Sequence, residues 1–600
     1  MEKDQLIEYY QKELTYLRHL GAEFSEIHDD IAGKLKLDKN ECNDPHTERI
    51  IEAFAFLSAR IHKKIDDHFP EIIESLFDII YPEYNRPLPS MAVVELNPGD
   101  NITKLENTGY LIDRDVKLFS KTMDNEPACN FKTCYPVQLY PVQLHKISHK
   151  KDGNEESISI EIVSKKPKTS FQAMDMNSLR FFIAGTSHSV FKIYEALFHN
   201  NGIRCEILTE TEKKIELKEK LNFSPVGFDN NESLLADQTK RTFPGYRLLY
   251  ELFAYPEKFL FFDIKGFHQL KKYTKAKDRL IIHIDLKQAL DKTITISNDT
   301  FRLNATPIIN LYEKKDVRLR LNPYQTEFHI VPDSKNRMTT EIFSLDKVQT
   351  SEPTPRKKQI VYCSYYSTDH KMTSDDSKKT VFYQTKRKAS PHFEDNGTEL
   401  FISFRNPKDK KVLPKQDLLL LNVTCTNRDA PKDLHFHSSS KNDFRIEKPF
   451  VETVKCILKP TRTRRPFKDG GLQWRLLSHL SLNYLSLLDV DTLKEILRLY
   501  NFDHSKASQQ QIEGITKVSY EHVTRRINNR SFCRGIQVMI EFNEQQYVGK
   551  KSMILFASII ERFLGQYVSI NSFSQLVAIS AQTSENIYEW PPRSGDMIII

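Results

Sequence analysis

The sequence is poor in glycine and lacks the short motifs that carry phosphate-binding or hydrolytic chemistry. Only 18 of the 600 residues are glycine, about 3%, against roughly 7% in typical proteins. No G-x-G-x-x-G, G-x-x-x-x-G-K-[ST], G-x-S-x-G or H-E-x-x-H motif occurs. The scarcity of glycine weighs against phosphate-binding loops and against collagen-like or repeat-turn architectures. The missing motifs leave nucleotide-dependent enzymes, common hydrolases and zinc proteases without support.

Paired cysteines and long apolar runs are also missing. The eight cysteines are scattered and form no C-x-x-C pair, so they give no zinc or redox signature. The longest apolar runs, such as Phe259–Phe262 and Leu418–Leu421, fall far short of the ~20 residues of a membrane span. The charged start has no apolar run behind it and predicts no secretory signal peptide. These features predict a cytoplasmic protein with reduced cysteines.

The charge balance gives little support to a nucleic-acid-binding function. Lysine and arginine number 87 and the acidic residues 80, a formal net charge of +7. A dedicated nucleic-acid binder usually has a larger or more clustered excess of positive charge. The chain is 39% hydrophobic and 11% aromatic, which is typical of a globular protein. At roughly 100–200 residues per domain, the length predicts three to five domains.

The pattern along the chain predicts an α+β multidomain protein. The first ninety residues have helical periodicity, and the proline-rich "PEYNRPLPS" ends them. Short alternating runs follow. We predict four segments: an N-terminal helical segment, a β-rich domain with helices, a second β-rich domain and a mixed α/β C-terminal domain. Their predicted bounds are 1–90, 91–275, 276–460 and 461–600.

Several individual elements can be predicted from periodicity alone. A long polar loop is expected over Lys347–Arg387. The helices are expected in "HSVFKIYEALFHN", "YRLLYELFAY", "TLKEILRLY" and "SMILFASIIERFLGQYV". The strands are expected in "MAVVEL", "VQLYPVQL", "SISIEIV", "RLIIHIDL", "TITIS", "DLLLLNVTC" and "GIQVMIEF".

The first helix carries an apolar stripe that includes a carboxylate. At 100° per residue, the stripe fills a sector of ~120°. Its members are Leu6, Tyr10, Leu14, Leu17, Leu20 and Phe24. Glu13 lies inside this stripe, where an unpaired carboxylate is unfavourable, so it either reaches the edge of the stripe or meets a cation from another element. A second helix begins at Asp44-Pro45. It carries its own stripe of Ile50, Phe54, Leu57, Ile61 and Ile65.

The stretch "WRLLSHLSLNYLSLLD" (Trp474–Asp489) contains the residue types of a Ser/His/Asp triad. On a helix, the neighbours Ser478 and His479 point ~100° apart, and Asp489 lies about 15 Å along the axis from His479. A local triad is therefore excluded, and the leucine spacing favours an amphipathic helix. A triad with distant partners stays open.

Two further patterns have a chemical interpretation and a structural one. Cys42 and His46 have the spacing of a C-x-x-x-H zinc pair, but no second pair lies nearby, and a helix start explains the segment. The basic run "RTRRPFK" (Arg462–Lys468) could contact phosphates. A solvated or protein-facing loop is the stronger interpretation. Cys129 and Cys134 lie in a strand-like run and are expected in the core.

Long blocks rich in uncommon residues run through the whole chain. They include "YYQKELTYLRHLGAEF" from Tyr9, "DPHTERIIEAFAFLSARI" from Asp44, "LFDIIYPEYNRPLPSM" from Leu76, "LRFFIAG" from Leu179, "FPGYRLLYELFAYPEKFLFFDIKG" from Phe243, "RLNATPIINLY" from Arg302, "TCTNRDAPKDL" from Thr424, "WRLLSHLSLNYLSL" from Trp474 and "EWPPRSGD" from Glu589. In content and order, these blocks resemble the TssF (VasA/ImpG) family of the bacterial type VI secretion system. The sequence departs from the family where "FYQTKR" (Phe382–Arg387) replaces a W-x-x-x-R pattern.

The resemblance implies a structural protein with no catalysis, cofactor or bound metal. TssF-like chains form a wedge with TssG-like partners, as in contractile phage baseplates, and TssK-like, TssE-like and VgrG-like components join them. Two TssF-like chains embrace one TssG-like chain through a shared helical bundle. Six wedges surround a spike and template the contractile tail. The baseplate is cytoplasmic and docks at the inner face of the inner membrane through other subunits.

The resemblance also gives the stripe of the first helix a role. We expect part of it to contact a neighbouring chain of the wedge, with Glu13 meeting an arginine or lysine there. The alternative is that this helix packs wholly on its own chain, against Phe54, Leu57 and Ile61. Two other functions stay open, a nucleic-acid-binding module and a hydrolase that uses Ser478 or His479.

Overall fold

The computed structural model describes most of the chain between residues 10 and 595. The described residues are 10–11, 13–17, 20, 45–66, 76–77, 81–99, 101–102, 108–121, 128–152, 155–165, 171–198, 200–209, 214–217, 221–235, 244–272, 276–287, 289–291, 293–351, 360–366, 381–392, 395–406, 410–414, 417–436, 442–465, 485–501, 505–527, 531–547, 552–568 and 572–595. The chain forms two compact units. One comprises residues 1–85 and 467–481, and the other comprises residues 86–466 and 482–600.

The described helices are short apart from the first. They are α1 (Pro45–Asp66), α2 (Ser187–Phe198), α3 (Pro244–Ala254), α4 (Val490–Tyr500), α5 (Lys506–Glu513) and α6 (Met553–Gly565). No helix among these residues is long and apolar enough to cross a membrane.

Strands are the most frequent regular elements of the second unit. As far as residue 286 they are β1 (Met91–Pro98), β2 (Tyr110–Ile112), β3 (Lys117–Ser120), β4 (Asn130–Thr133), β5 (Val137–Leu139), β6 (Val142–Asp152), β7 (Glu155–Ser164), β8 (Ser178–Ile183), β9 (Asn200–Thr209), β10 (Lys214–Glu216), β11 (Asn222–Pro225), β12 (Phe261–Lys265) and β13 (Ala276–Leu286). The later strands are β14 (Phe301–Leu303), β15 (Ala305–Ile309), β16 (Tyr312–Arg320), β17 (Phe328–His329), β18 (Glu341–Thr350), β19 (Val361–Tyr362), β20 (Phe382–Ala389), β21 (Thr398–Arg405), β22 (Leu418–Thr426), β23 (Phe444–Ile446), β24 (Val451–Leu458), β25 (Ile515–Ile527), β26 (Ser531–Phe542), β27 (Ser572–Ser580), β28 (Asn586–Glu589) and β29 (Arg593–Ser594).

A six-stranded sheet joins parts of the chain that are far apart in sequence. Its order is β23-β3-β4-β15-β1-β24, so β1 lies between strands that come more than 200 residues later. β1 and β15 are almost wholly buried, as expected for central strands with both faces covered. One core packs on this sheet, with Val94, Phe131 and Ile308 among its buried residues. The sheet combines strands from both predicted β-rich segments, and the division into four segments stays a prediction.

The remaining β-rich part forms smaller antiparallel sheets. Their orders are β10-β9-β13-β7-β6, β11-β12-β8-β14, β16-β22-β18-β19, β17-β21-β20 and β2-β5. β13 shows the period of two that one buried face requires: Leu280, Ile282 and Ile284 are buried, and the residues between them are more accessible. A second core lies under β16, β18, β21 and β22.

The C-terminal sheet has the order β25-β26-β27-β28, and β29 also pairs with β27. β26 and β27 are parallel, and parallel neighbours need a long crossover. α6 lies in that crossover and packs its apolar residues into the core, including Phe556, Ile560 and Phe563.

The α+β multidomain class is confirmed, together with most of the predicted elements. Two predictions are wrong. "TITIS" (293–297) forms no strand, because its backbone closes a turn at Asp291 instead: Thr293 and Ile294 donate to the side chain and the carbonyl of Asp291. The predicted loop Lys347–Arg387 begins inside β18 and ends inside β20 and also contains β19; residues 352–359 and 367–380 lie outside the described residues.

Candidate protein interface on the N-terminal helices

Helix α1 begins as its sequence predicts. Pro45 is its first residue, a position where the missing N–H has no helical partner to lose. Glu48 lies in the first turn, where a negative charge favours the helix dipole. Asp44, the predicted cap, lies outside the described residues.

The two faces of α1 differ sharply in exposure. Ala55 and Ala59 are fully buried. On the opposite side lies what we call the α1 stripe, which comprises Ile50, Phe54, Leu57 and Ile61 and fills a sector of about 60° at 100° per residue. Each of its four members keeps between 53% and 69% of its surface exposed. The helix therefore presents a continuous apolar row to its surroundings. The backbone of Ile65, the fifth predicted member, belongs to α1, but its side chain is not described.

The first helical segment contacts α1 beside the stripe. The rings of Tyr10 and Phe56 meet edge to face, with centroids 6.4 Å apart. The Ser58 hydroxyl donates to Glu13 Oε2 at 3.0 Å. The guanidinium of Arg60 lies 6.0 Å from the centroid of the Phe56 ring. These contacts involve Phe56 and Ser58, and the α1 stripe remains exposed.

The structure places five of the seven predicted interface residues. Tyr10, Glu13, Leu14 and Leu17 are half-buried, and Leu20 is exposed. Leu6 and Phe24 lie outside the described residues. Glu13 pairs with Ser58 of its own chain, and an arginine or lysine partner on a neighbouring chain stays a prediction. Tyr16, which lies outside the predicted stripe, is 60% exposed, and helical periodicity alone gives no sign of it.

An apolar row of this kind has an energetic consequence. Fully burying one such side chain is worth roughly 1.5–3 kcal/mol. Contiguous exposed apolar surface on a soluble protein marks interaction sites. The arrangement can therefore bind the apolar face of another helix, with i, i+4, i+7 and i+11 as its anchor positions.

The chemical interpretations of the sequence find structural explanations where the residues are described. Ser478, His479 and Cys42 lie outside the described residues. Asp489 caps α4, and its carboxylate accepts from the backbone N–H of Thr492 at 3.0 Å. Cys129 and Cys134 are buried as predicted, and burial raises the pKa of Cys134 to about 12. Among the described residues, no group of histidine, cysteine and acidic side chains could hold a metal ion.

Part of the basic run at Arg462–Lys468 is held inside the protein. Arg465 donates to Glu341 Oε2 at 2.8 Å and to Asp429 Oδ2 at 3.1 Å. Burial would lower the pKa of Arg465, but its hydrogen bond to Glu341 and the charges of both carboxylates hold it above the usual arginine value. The protein-facing interpretation is therefore correct for Arg465.

A serine, a histidine and a glutamate also meet on one face of a β-sheet. Ser159 Oγ lies 2.9 Å from Nδ1 of His283, and Nε2 of the same ring lies 3.2 Å from Glu206 Oε2. In a hydrolytic triad the serine faces Nε2 and the acid faces Nδ1, which is the reverse of this order. Ser159 is buried, and the three residues lie on the neighbouring strands β7, β13 and β9. The row is a set of cross-strand polar contacts that sequence spacing could not reveal.

Comparisons with known proteins place the whole chain in one family. Residues 2–597 match the family described as "Type VI secretion system, TssF". The type VI secretion system component TssF1 of Pseudomonas aeruginosa is 30% identical, over 98% of both chains. A chain from the TssK–TssF–TssG baseplate subcomplex, solved by cryo-electron microscopy, has a similar fold; it is 22% identical, with a TM-score of 0.71 over 92% of this chain and 99% of that one. A chain from the baseplate complex of the type VI secretion system has the same identity and a TM-score of 0.58, over 99% of this chain and 100% of that one. The chain therefore belongs to the TssF family of the type VI secretion system.

Proposed function

We propose that this protein is a structural subunit of a type VI secretion baseplate wedge, with no catalytic role. Membership of the TssF family supports this proposal. The fold of the chain resembles chains found in a TssK–TssF–TssG subcomplex and in a complete baseplate. The protein assembles with a TssG-like and a TssK-like subunit. TssE-like and VgrG-like components join the same assembly around the spike and template the contractile tail.

The wedge holds two copies of this chain for each TssG-like chain. It lies in the cytoplasm and docks at the inner face of the inner membrane through other subunits. The observation that carries the proposal is the α1 stripe, because four large apolar side chains on one helix face remain exposed. In the wedge, this stripe and part of the first helix bind the helices of the TssG-like partner.

Co-purification tests the interface. A tagged copy of the full chain is co-expressed with the TssG-like protein of the same genome, and the captured partner is measured. An aspartate in an apolar contact is strongly unfavourable, so Leu57→Asp lowers the captured partner by at least about tenfold, a loss of about 1.4 kcal/mol. Leu17→Asp has the same effect if the first helix also contributes to the interface.

Arg49→Asp is the matched control. It places the same side chain at an exposed position of α1, about 80° outside the sector of the stripe, and leaves capture near the wild-type level. Far-UV circular dichroism and limited proteolysis establish that each variant keeps its fold. Capture of the partner by Leu57→Asp at the wild-type level would contradict the interface.

A further inference from the structure

The C-terminal sheet ends in a long strand, β25, with an edge that no described strand covers. β25 has 13 residues, which span about 43 Å at ~3.3 Å per residue. Among the described strands, only β26 pairs with it. The middle of β25 is accessible: Thr516, Lys517, Glu521 and His522 are exposed, and Tyr520 keeps 42% of its surface.

Free edges of this length are usually protected, because their unpaired N–H and C=O groups can pair with another strand. Proteins protect them with charged side chains, with proline, with bulges or with a cover. The charges of β25, among them Lys517, Glu521 and Arg525, disfavour most strands but admit one with the complementary pattern. β25 contains no proline. Its one irregularity lies at its start, between Ile515 and Lys517, and the register with β26 is regular from Lys517 to Ile527. The pairing with β26 is therefore regular over eleven residues, and among the described strands none pairs with the other edge of β25.

The side chains of β25 select one partner, a second copy of the same strand. When a twofold axis relates two antiparallel copies of one strand, the residue numbers of any two facing residues add up to the same total. With Ser519 opposite Ser519, Lys517 faces Glu521 twice. On the other face of the sheet, Val518 faces Tyr520 and Thr516 faces His522. Three kinds of cross-strand pair stabilise a sheet: two opposite charges, an aromatic with a β-branched residue, and two polar residues.

Neighbouring registers lack this match. An axis through Glu521 places Glu521 opposite itself and Lys517 opposite Arg525, so like charges face each other. An axis through Tyr520 or His522 places Glu521 opposite Ser519 or Val523. Like-charge contacts disfavour the axis through Glu521. An axis through Val523 would pair Glu521 with Arg525, which already contacts Glu589 of its own chain at 3.4 Å. The axis through Ser519 is the one that pairs Glu521 with Lys517.

The surroundings of Lys517 are consistent with this arrangement. Its ammonium group lies 3.5 Å from Glu541 of β26, and 64% of the Lys517 side chain is exposed. In the paired state the same ammonium group has a carboxylate on each side, Glu541 of its own chain and Glu521 of the second copy.

We propose that two copies of this protein associate through β25, edge to edge and antiparallel, with Ser519 on the twofold axis. The two C-terminal sheets then form one continuous sheet. This contact is separate from the α1 stripe and does not depend on the TssG-like partner.

Complementary charge reversal tests the proposal. Two full-length copies with different tags are co-expressed in cells that contain no TssG-like protein, both with Leu57→Asp so that the α1 stripe is less apolar, and co-capture from the soluble fraction is measured. Glu521→Lys in both copies places lysine opposite lysine, and Lys517→Glu in both copies places glutamate opposite glutamate. Either substitution lowers co-capture by about tenfold, because like charges then face each other twice.

The decisive experiment combines the two variants. One copy with Glu521→Lys and the other with Lys517→Glu again place opposite charges face to face, and co-capture returns to within about twofold of the wild type. Glu544→Lys, at an exposed position of the same domain, leaves co-capture unchanged, and circular dichroism checks the fold of all variants. Equal co-capture by the single variants and the wild type would overturn the proposal. So would a mixture that recovers nothing, because Lys517 and Glu521 of the two copies would then not face each other.

Discussion

At the residue scale, Arg465 connects three distant parts of the chain. It follows β24 and pairs with Glu341 at the start of β18 and with Asp429 after β22. The side chain of Glu341 is fully buried, and its Oε1 also accepts from the backbone N–H of Thr398 at 2.8 Å. A carboxylate this deeply buried needs its cation, because removing one partner of a buried pair leaves an uncompensated charge.

Arg465→Met should therefore destabilise the second unit by about 3–5 kcal/mol, measured by urea unfolding followed by circular dichroism. Arg445→Met is the control, because Arg445 and Glu447 form a pair that is 78% and 73% exposed, and such pairs contribute about 0–1 kcal/mol. Adding Glu341→Gln to Arg465→Met removes the buried charge and should recover part of the loss. Equal stability of the Arg465 and Arg445 variants would contradict this account.

From the sequence, the surroundings that such a residue needs could be predicted better than the identity of its partner. The run around Arg465 was expected to be a solvated or protein-facing loop, and Arg465 faces protein; its partner Glu341 lies 124 residues away, and no local pattern connects the two. The same holds for Ser159, His283 and Glu206, which only strand pairing brings together. For Glu13, the sequence left open a place at the edge of the stripe or a cation from another element. The structure shows a hydrogen bond from the Ser58 hydroxyl, and the cation stays a prediction.

At the scale of elements, α4 shows how one side chain sets a helix start. Asp489 accepts from both the backbone N–H and the hydroxyl of Thr492. The hydrogen bond from that N–H is the main cause that lowers the pKa of Asp489. A carboxyl group whose pKa is lower in the folded state than in the unfolded state stabilises the fold at pH values above its unfolded pKa. This contribution is lost as the pH falls through the folded pKa.

Asp489→Ala should destabilise α4 by about 1 kcal/mol at neutral pH, the usual effect of removing an N-cap. Asp489→Asn is the matched variant, because asparagine caps about as well as aspartate but does not titrate. Hydrogen exchange of the α4 amides at neutral pH should rank alanine as the least protected and asparagine near the wild type. Thermal melts should show the difference between aspartate and alanine shrinking below about pH 4. A difference that is constant with pH would contradict the assignment of the cap.

Elements with strong periodicity were predicted well, and the failures have local causes. α1, α2, α4 and α6 each carry the expected apolar face. "TITIS" alternates like a strand, but Asp291 offers its backbone a turn, a choice that periodicity cannot detect. The pattern of α1 predicted its apolar stripe but could not show that the stripe remains exposed in the folded chain, because exposure depends on what packs against it.

At the scale of the whole molecule, the six-stranded sheet explains why the chain is difficult to divide into domains on the basis of its sequence. β1 pairs with β24, more than 350 residues later, so the sheet forms only when distant segments meet. Composition and turn signals report on neighbouring residues and contain no information about such pairings. The class of the fold follows from local patterns, whereas the strand order depends on contacts that only the folded chain reveals.

If this chain binds a TssG-like partner through its N-terminal helices, two copies to one, the co-expressed proteins form a complex of defined mass. Light scattering during size-exclusion chromatography of the co-expressed proteins tests it most directly. The account predicts one monodisperse complex with the mass of two 70.2-kDa chains and one partner chain, and poor solubility of the chain expressed alone, because the α1 stripe is then uncovered. A stable monomer that elutes separately from the TssG-like protein would contradict the account.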